Sequence, residues 1–244
     1  MWAREVDGQT LTLQMAGINN RNFLMRDEQT GSYWQQISGR AISGPLAGKS
    51  LRLIPSEELT FGVWKSEQSG GTVLRGSARD IAQYESTAMV DMLGEVPEAL
   101  RAPGLAPREP VIGIELDGEA RAWPQALLAT RLLVRDVVGS TPVILLTGPD
   151  GESVRAFSPH LTPDDDPPEF YRASDPRHPG EGLMMDDRTG SRWNFQGCAV
   201  AGPSAGKCLS RIELVHDFWF AWKRYHPAST LYGSGRENSG GKKR

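Results

Sequence analysis

The chain has 244 residues, 39% of them hydrophobic and 23% charged, with a net charge of −3. That length allows one large domain or two small ones, and the charge balance gives no footprint for nucleic acid or an anionic membrane. Two cysteines, Cys198 and Cys208, rule out a disulfide framework and leave one bridge or two free thiols, while no apolar run approaches the ~20 residues that span a bilayer.

In chain order, the alternation Thr10-Leu11-Thr12-Leu13-Gln14-Met15 predicts a half-buried strand between turn signals at Asp7-Gly8 and Gly17. Phe23-Leu24-Met25 and Ser32-Tyr33-Trp34 flank Asp27-Glu28-Gln29-Thr30-Gly31, which predicts a β-hairpin. Leu51, Leu53 and Pro55 continue in extended register. Ser56 is expected to cap a helix over 56–66 with Glu57 and Glu58 in its first turn. A further helix is expected over 79–93, before Pro97, Pro103 and Pro107 break regular structure. Val111 to Leu116 and Ala120 to Trp123 read as strands around Asp117-Gly118, and Pro124 opens a helix over 124–131. Val143 to Leu146 reads as a buried strand, Asp164 to Glu169 as a solvated acidic loop, and 215–225 as a helix. The N-terminus has no basic n-region or apolar h-region, so no signal peptide is expected in this chain.

Two stretches carry matching residues. Thr30, Gly31, Ser32 and Trp34 recur as Thr189, Gly190, Ser191 and Trp193. Gly44, Pro45, Ala47, Gly48 and Lys49 recur as Gly202, Pro203, Ala205, Gly206 and Lys207, and Trp64-Lys65 as Trp222-Lys223. A matched spacing of Gly, Pro and Trp is a backbone and packing signature and predicts two copies of one unit. The fold class expected is a β-rich α+β protein of two related units with short helices. The first unit is placed at 1–76, a connection at 77–108, a fuller second unit at 109–233 and a disordered tail at 234–244.

Met25 to Trp34 and Met184 to Trp193 share the pattern Met-x-Asp-x-x-Thr-Gly-Ser-x-Trp. With Val111-Ile112-Gly113-Ile114, Gly118 to Ala122, Asp136, Thr141-Pro142-Val143 and Ala156-Phe157, these residues resemble the bacterial family called domain of unknown function 3179. The resemblance covers nearly the whole chain and implies a secreted or lipid-anchored protein. Family members carry Cys-Pro-x-Cys after the central strand, where this chain has Gly148-Pro149-Asp150-Gly151. The resemblance places the first unit's own cysteine pair before Met1, so an N-terminally incomplete member, or a late start codon, is expected.

Several residues are candidates for chemistry. A Cys-x-x-Cys pair can hold a reactive thiolate or half a zinc site, and Gly148 and Gly151 can do neither. Cys198 and Cys208 replace Arg40 and Ser50 of the first copy and read as structural thiols or an incidental disulfide. Gly44 to Ser50 has one residue too few for a P-loop and precedes an extended segment. Asp27 and Asp186 open the hairpin connections, where an Asx turn competes with a catalytic or cation-binding role. Together with Thr30, Ser32, Asp136, Thr189 and Ser191 they form the candidate polar site. His160, His178, His216 and His226 fit no ligand pattern. No cofactor, resident metal or nucleic acid is expected, and open sheet edges of a half-unit are candidates for self-association. The function expected is a noncatalytic extracytoplasmic binding or scaffold module acting on an unknown ligand or protein partner. The alternative is a fragment of a thiol-redox or metal-dependent extracytoplasmic enzyme.

Overall fold

The computed structural model describes all residues except 21, 79–80, 83–94, 163–165, 174–181 and 234–244. The helix expected over 79–93 falls almost wholly outside the described residues, as do the tail from 234, His178 and part of the acidic loop.

The chain divides into two compact units, Met1–Ser56 with Thr72–Ala99, and Glu57–Gly71 with Leu100–Arg244. The segment Glu57–Gly71, placed by sequence with the first unit, therefore belongs to the second. The architecture is β-rich with short helices, as the residue pattern predicts.

The first unit holds β1 (Glu5–Val6) and β2 (Gln9–Thr10), which pair with each other, then β3 (Leu13–Asn19), β4 (Asn22–Asp27), β5 (Tyr33–Gln35) and β6 (Ala41–Ser43) in one antiparallel sheet of that order. The predicted hairpin is β4–β5, with Met25 opposite Trp34. Trp34 anchors a small core with Val6, Leu11, Ala41 and Leu51. Leu53 forms an isolated bridge with Trp2.

The second unit opens with α1 (Phe61–Glu67). Its N-cap is Thr60, whose side chain accepts from the Val63 N–H, rather than the expected Ser56. Glu57 lies outside the helix, where it is engaged by an arginine described below. Then come β7 (Pro110–Leu116), β8 (Glu119–Pro124), α2 (Gln125–Arg131), β9 (Leu133–Val138), β10 (Thr141–Thr147) and β11 (Val154–Phe157). They are followed by β12 (Phe170–Arg172), β13 (Met184–Asp186), β14 (Arg192–Trp193), β15 (Ala199–Ala201), β16 (Arg211–Ile212), β17 (Val215–Phe218), α3 (Trp219–Tyr225) and β18 (Thr230–Leu231). The helix expected over 215–225 begins only at Trp219, because Val215–Phe218 pairs antiparallel with β7.

Among the described residues three four-stranded sheets build this unit: β16-β11-β10-β9, β12-β13-β14-β15 and β17-β7-β8-β18. The apolar run on β10 explains the layering. Val143 and Leu145 face one cluster with Ile112, Ile114, Trp123, Leu128, Val134 and Val154. Ile144 and Leu146 face the other, with Phe157, Phe170, Met184, Trp193 and Val63 of α1. Side chains alternate across a strand, so an unbroken apolar run is what a sheet covered on both faces demands. α3 lies so close to β7 that a Cβ at Gly113 would sit 2.4 Å from the Trp222 ring. Among the described residues no helix is long and apolar enough to cross a membrane.

Candidate functional site

The predicted polar residues fall into three separate networks. Asp27 closes β4, with Oδ1 accepting from the Thr30 N–H at 2.5 Å and Oδ2 from Thr30 Oγ1 at 3.0 Å and Trp34 Nε1 at 2.8 Å. Thr30 Oγ1 lies 2.6 Å from Ser32 Oγ, which accepts from the Leu46 N–H at 3.0 Å. The second unit has the same arrangement. Asp186 accepts from the Thr189 N–H at 2.6 Å, Thr189 Oγ1 at 2.8 Å and Trp193 Nε1 at 2.9 Å. Ser191 Oγ, 2.6 Å from Thr189 Oγ1, accepts from the Ser204 N–H at 2.9 Å. A Cβ at Gly44 would sit 2.6 Å from Ser32 Cα, and one at Gly202 2.7 Å from Ser191 Cα, which accounts for the matched glycines.

Burial acts to raise both Asp27 and Asp186, but the indole and Thr/Ser donors outweigh it and hold both below the ordinary carboxylate range. Each carboxylate spends both oxygens inside its own turn. Asp136 stands apart on β9. Its Oδ2 accepts from Arg121 Nε at 2.6 Å and Trp123 Nε1 at 2.9 Å, and Oδ1 accepts from the Val137 N–H at 2.8 Å. The described geometry gives these seven residues hydrogen-bond partners within the protein and brings them together only as the sets 27/30/32 and 186/189/191.

The turn after β10 holds a different cluster. Asp150 Oδ2 accepts from Ser153 Oγ and Thr60 Oγ1, each at 2.6 Å, and Oδ1 accepts from the Glu152 and Ser153 N–H groups. The Thr60 N–H donates in turn to Ser153 Oγ at 3.0 Å. Burial acts to raise Asp150, and its Ser153 and Thr60 donors lower it on balance.

Two residues beyond Ser153, Arg155 projects from β11 and is only 3% exposed. Its Nε and Nη2 donate to Glu57 at 2.7 and 2.9 Å, and its Nη1 and Nη2 donate to Glu67 at 2.7 Å each. Arg211 donates to Glu57 as well, and Gln196 Nε2 donates to Glu67 at 2.7 Å. The Phe195 ring lies 4.4 Å from the guanidinium carbon. Burial opposes the charge on Arg155, but Glu67 and Glu57 raise its basicity well above the usual guanidinium value. A cavity of about 170 Å³ borders Val63, Glu67, Pro149, Phe195 and Gln196.

A second cleft, of about 300 Å³, lies beside the edge strand β17 and is lined in part by Glu58, Gln125, His216 and Asp217. Among the described residues, His216 Nε2, Asp217 Oδ2 and Trp219 Nε1 are buried without a hydrogen-bond partner. Burial pushes the Asp217 carboxyl up to about 6, against one stabilising bond from the Phe218 N–H. Burial also lowers His216, with the charge of Glu58 opposing it.

Sequence reasoning missed both clusters. Arg155, Arg211, Glu57 and Glu67 are far apart in the chain and carry no spacing signal. His216 and Asp217 were assigned to a helix. Cys198 and Cys208 form a disulfide across an isolated antiparallel bridge, and Arg40 and Ser50 form the matching bridge in the first unit. Among the described residues no group of three or more His, Cys, Asp or Glu side chains is placed to hold a metal ion.

A family model described as a protein of unknown function, DUF3179, matches residues 1–229. No curated protein and no solved structure matches the chain.

Proposed function

Because the chain belongs to the DUF3179 family, a family of unknown function, we propose from its geometry that it is a noncatalytic binding or scaffold module working outside the cytoplasm. Its two matched hairpin turns are, in this reading, copies of one packing unit. The observation that carries the reading is the turn Gly148–Gly151. Its one functional group, Asp150, is tied down by Ser153 and Thr60, so the corner acts as a fastening. The Asp27 and Asp186 networks support the same reading, since each carboxylate is consumed by the turn it stabilises. The Cys198–Cys208 disulfide supports an oxidising compartment.

The test has two parts. In whole cells quenched with acid and denatured, thiol-reactive polyethylene glycol should leave the protein unshifted on a gel until it is reduced. Free thiols in the cell would overturn the extracytoplasmic assignment. Purified protein should show no disulfide-exchange turnover, and turnover abolished by Cys198→Ser would overturn the noncatalytic one.

A further inference from the structure

We propose that the cleft beside β17 is a binding site for a small organic ammonium ion, held by the carboxyl groups of Asp217 and Glu58. The site rests on the binding-module reading and names its ligand class.

The first ground is the balance of donors and acceptors. The cleft, of about 300 Å³, is at the lower end of the volumes that hold small ligands. Asp217 Oδ2, on a residue of its wall, is buried without a hydrogen-bond partner, as is His216 Nε2. Glu58 lines the same cleft, is exposed, and makes no hydrogen bond or ion pair among the described residues. The Gln125 amide nitrogen donates to the Glu152 carbonyl at 3.4 Å, so its oxygen is the group left to accept. The lining therefore offers acceptors and asks for N–H donors, of which a primary ammonium ion carries three.

The second ground is charge. Among the described residues no Lys or Arg lines the cleft. Burial keeps His216 neutral at pH 7, so nothing there cancels Glu58 and Asp217. The other buried or half-buried aspartates differ: Asp27, Asp136, Asp150 and Asp186 each have an indole, guanidinium or hydroxyl donor. Asp217 has one backbone N–H, that of Phe218 to Oδ1. A carboxylate so placed is stable only with a proton or a cation beside it, and a cationic ligand supplies the counter-charge that the fold leaves out. The terminal torsion of an aspartate is soft, so a turn of the carboxyl presents Oδ2 to that ligand.

The third ground is shape. Val111 and Phe218 also line the cleft and give an apolar seat to a short carbon stem. A quaternary ammonium has no N–H to give these acceptors, so the class is a primary ammonium on such a stem.

The test uses the full chain at pH 7.5 with n-butylammonium chloride as probe. Tetramethylammonium chloride at equal ionic strength is the reference cation. Butylammonium at ten times its Kd, taken from a calorimetric titration, is expected to raise the melting temperature by roughly 3–6 °C. Asp217→Asn keeps the shape, removes a buried charge and should weaken binding about ten- to a hundredfold. Glu58→Gln, at an exposed position where folding is not at stake, should weaken it about two- to fivefold. Absence of a saturable response in the unaltered chain overturns the site. So does an equal response to tetramethylammonium, or a response that both variants keep in full. The binding-module reading stands through any of these, because thiol chemistry at Cys198 tests it separately. N-acetyl-lysine methylamide, which carries the same ammonium on a protein backbone, is the second arm. Tighter binding of it than of butylammonium assigns the cation to a lysine of a partner protein, and weaker binding assigns it to a free amine; each upholds the site.

Discussion

Trp193 Nε1 and Asp186 Oδ2 meet at 2.9 Å across seven residues of chain, and Trp34 and Asp27 meet in the same way at 2.8 Å. An indole that is fully buried needs a partner for its N–H. A carboxylate at the mouth of a hairpin connection supplies it while also fixing the turn. The shared geometry of the two turns is a consequence of that double use.

Asp186→Asn keeps the shape and removes the charge from three donors. It should destabilise the protein by about 2–3 kcal/mol at pH 7, since bonds to an ionised acceptor are each worth about 1.5–3 kcal/mol. Urea unfolding measures this. Both carboxylates are held below their ordinary range, so the stability they contribute is present above an unfolded value of about 4 and fades as pH falls through the lower folded one. The variant's stability should therefore vary less than the wild type's below about pH 4.

Asp217→Asn should act with the opposite sign. Its carboxyl titrates at about 6 when folded, so its contribution is intact below about pH 4 and is lost as pH rises through 6. The charged and titratable groups beside it are His216 and Glu58. His216, lowered by burial, runs in the other direction on acidification, so only the difference between variant and wild type isolates Asp217. The variant should be more stable than wild type by on the order of 2 kcal/mol at pH 7.5 and show no advantage at pH 4. Thermal melts at the two pH values decide it.

Gly113→Ala places a methyl group 2.4 Å from the Trp222 ring. Overpacking of this kind costs about 1–3 kcal/mol. Tryptophan fluorescence should shift along with the loss in stability, because Trp222 must move for the methyl to fit. An unchanged spectrum and an unchanged melt would show that the α3–β7 contact is looser than described.

Reduction of Cys198–Cys208 should cost about 2–3 kcal/mol, the loop-closure value for a sequence separation of 10. The fold should survive, since Arg40 and Ser50 make the matching bridge with no sulfur. Circular dichroism before and after dithiothreitol tests both statements.

Features with a local period were legible in the sequence. The β4–β5 hairpin, the strands on either side of Asp117-Gly118 and the β10 run all follow from alternation and turn chemistry. Trp34 and Trp193 were recognisable as packing residues because they recur with their neighbours. Residues 215–218 were not legible, because Val-His-Asp-Phe before an aromatic helix has no period of its own and becomes a strand only through pairing with β7. Arg155 was hidden for a related reason. A charged residue in a short strand reads as surface, and only the return of Glu57 and Glu67 from about 90 positions away makes it interior. The assignment of 57–71 failed on the same contact, since chain order gives no weight to an ion pair between residues about 90 positions apart.

The second unit is discontinuous in the chain. It takes Glu57–Gly71, yields to Thr72–Ala99 and resumes at Leu100. No single scission can therefore separate the molecule into two intact halves. A fragment begun at Leu100 would leave Arg155 without either of its counter-ions, and genetic dissection by truncation would then damage the half it was meant to isolate.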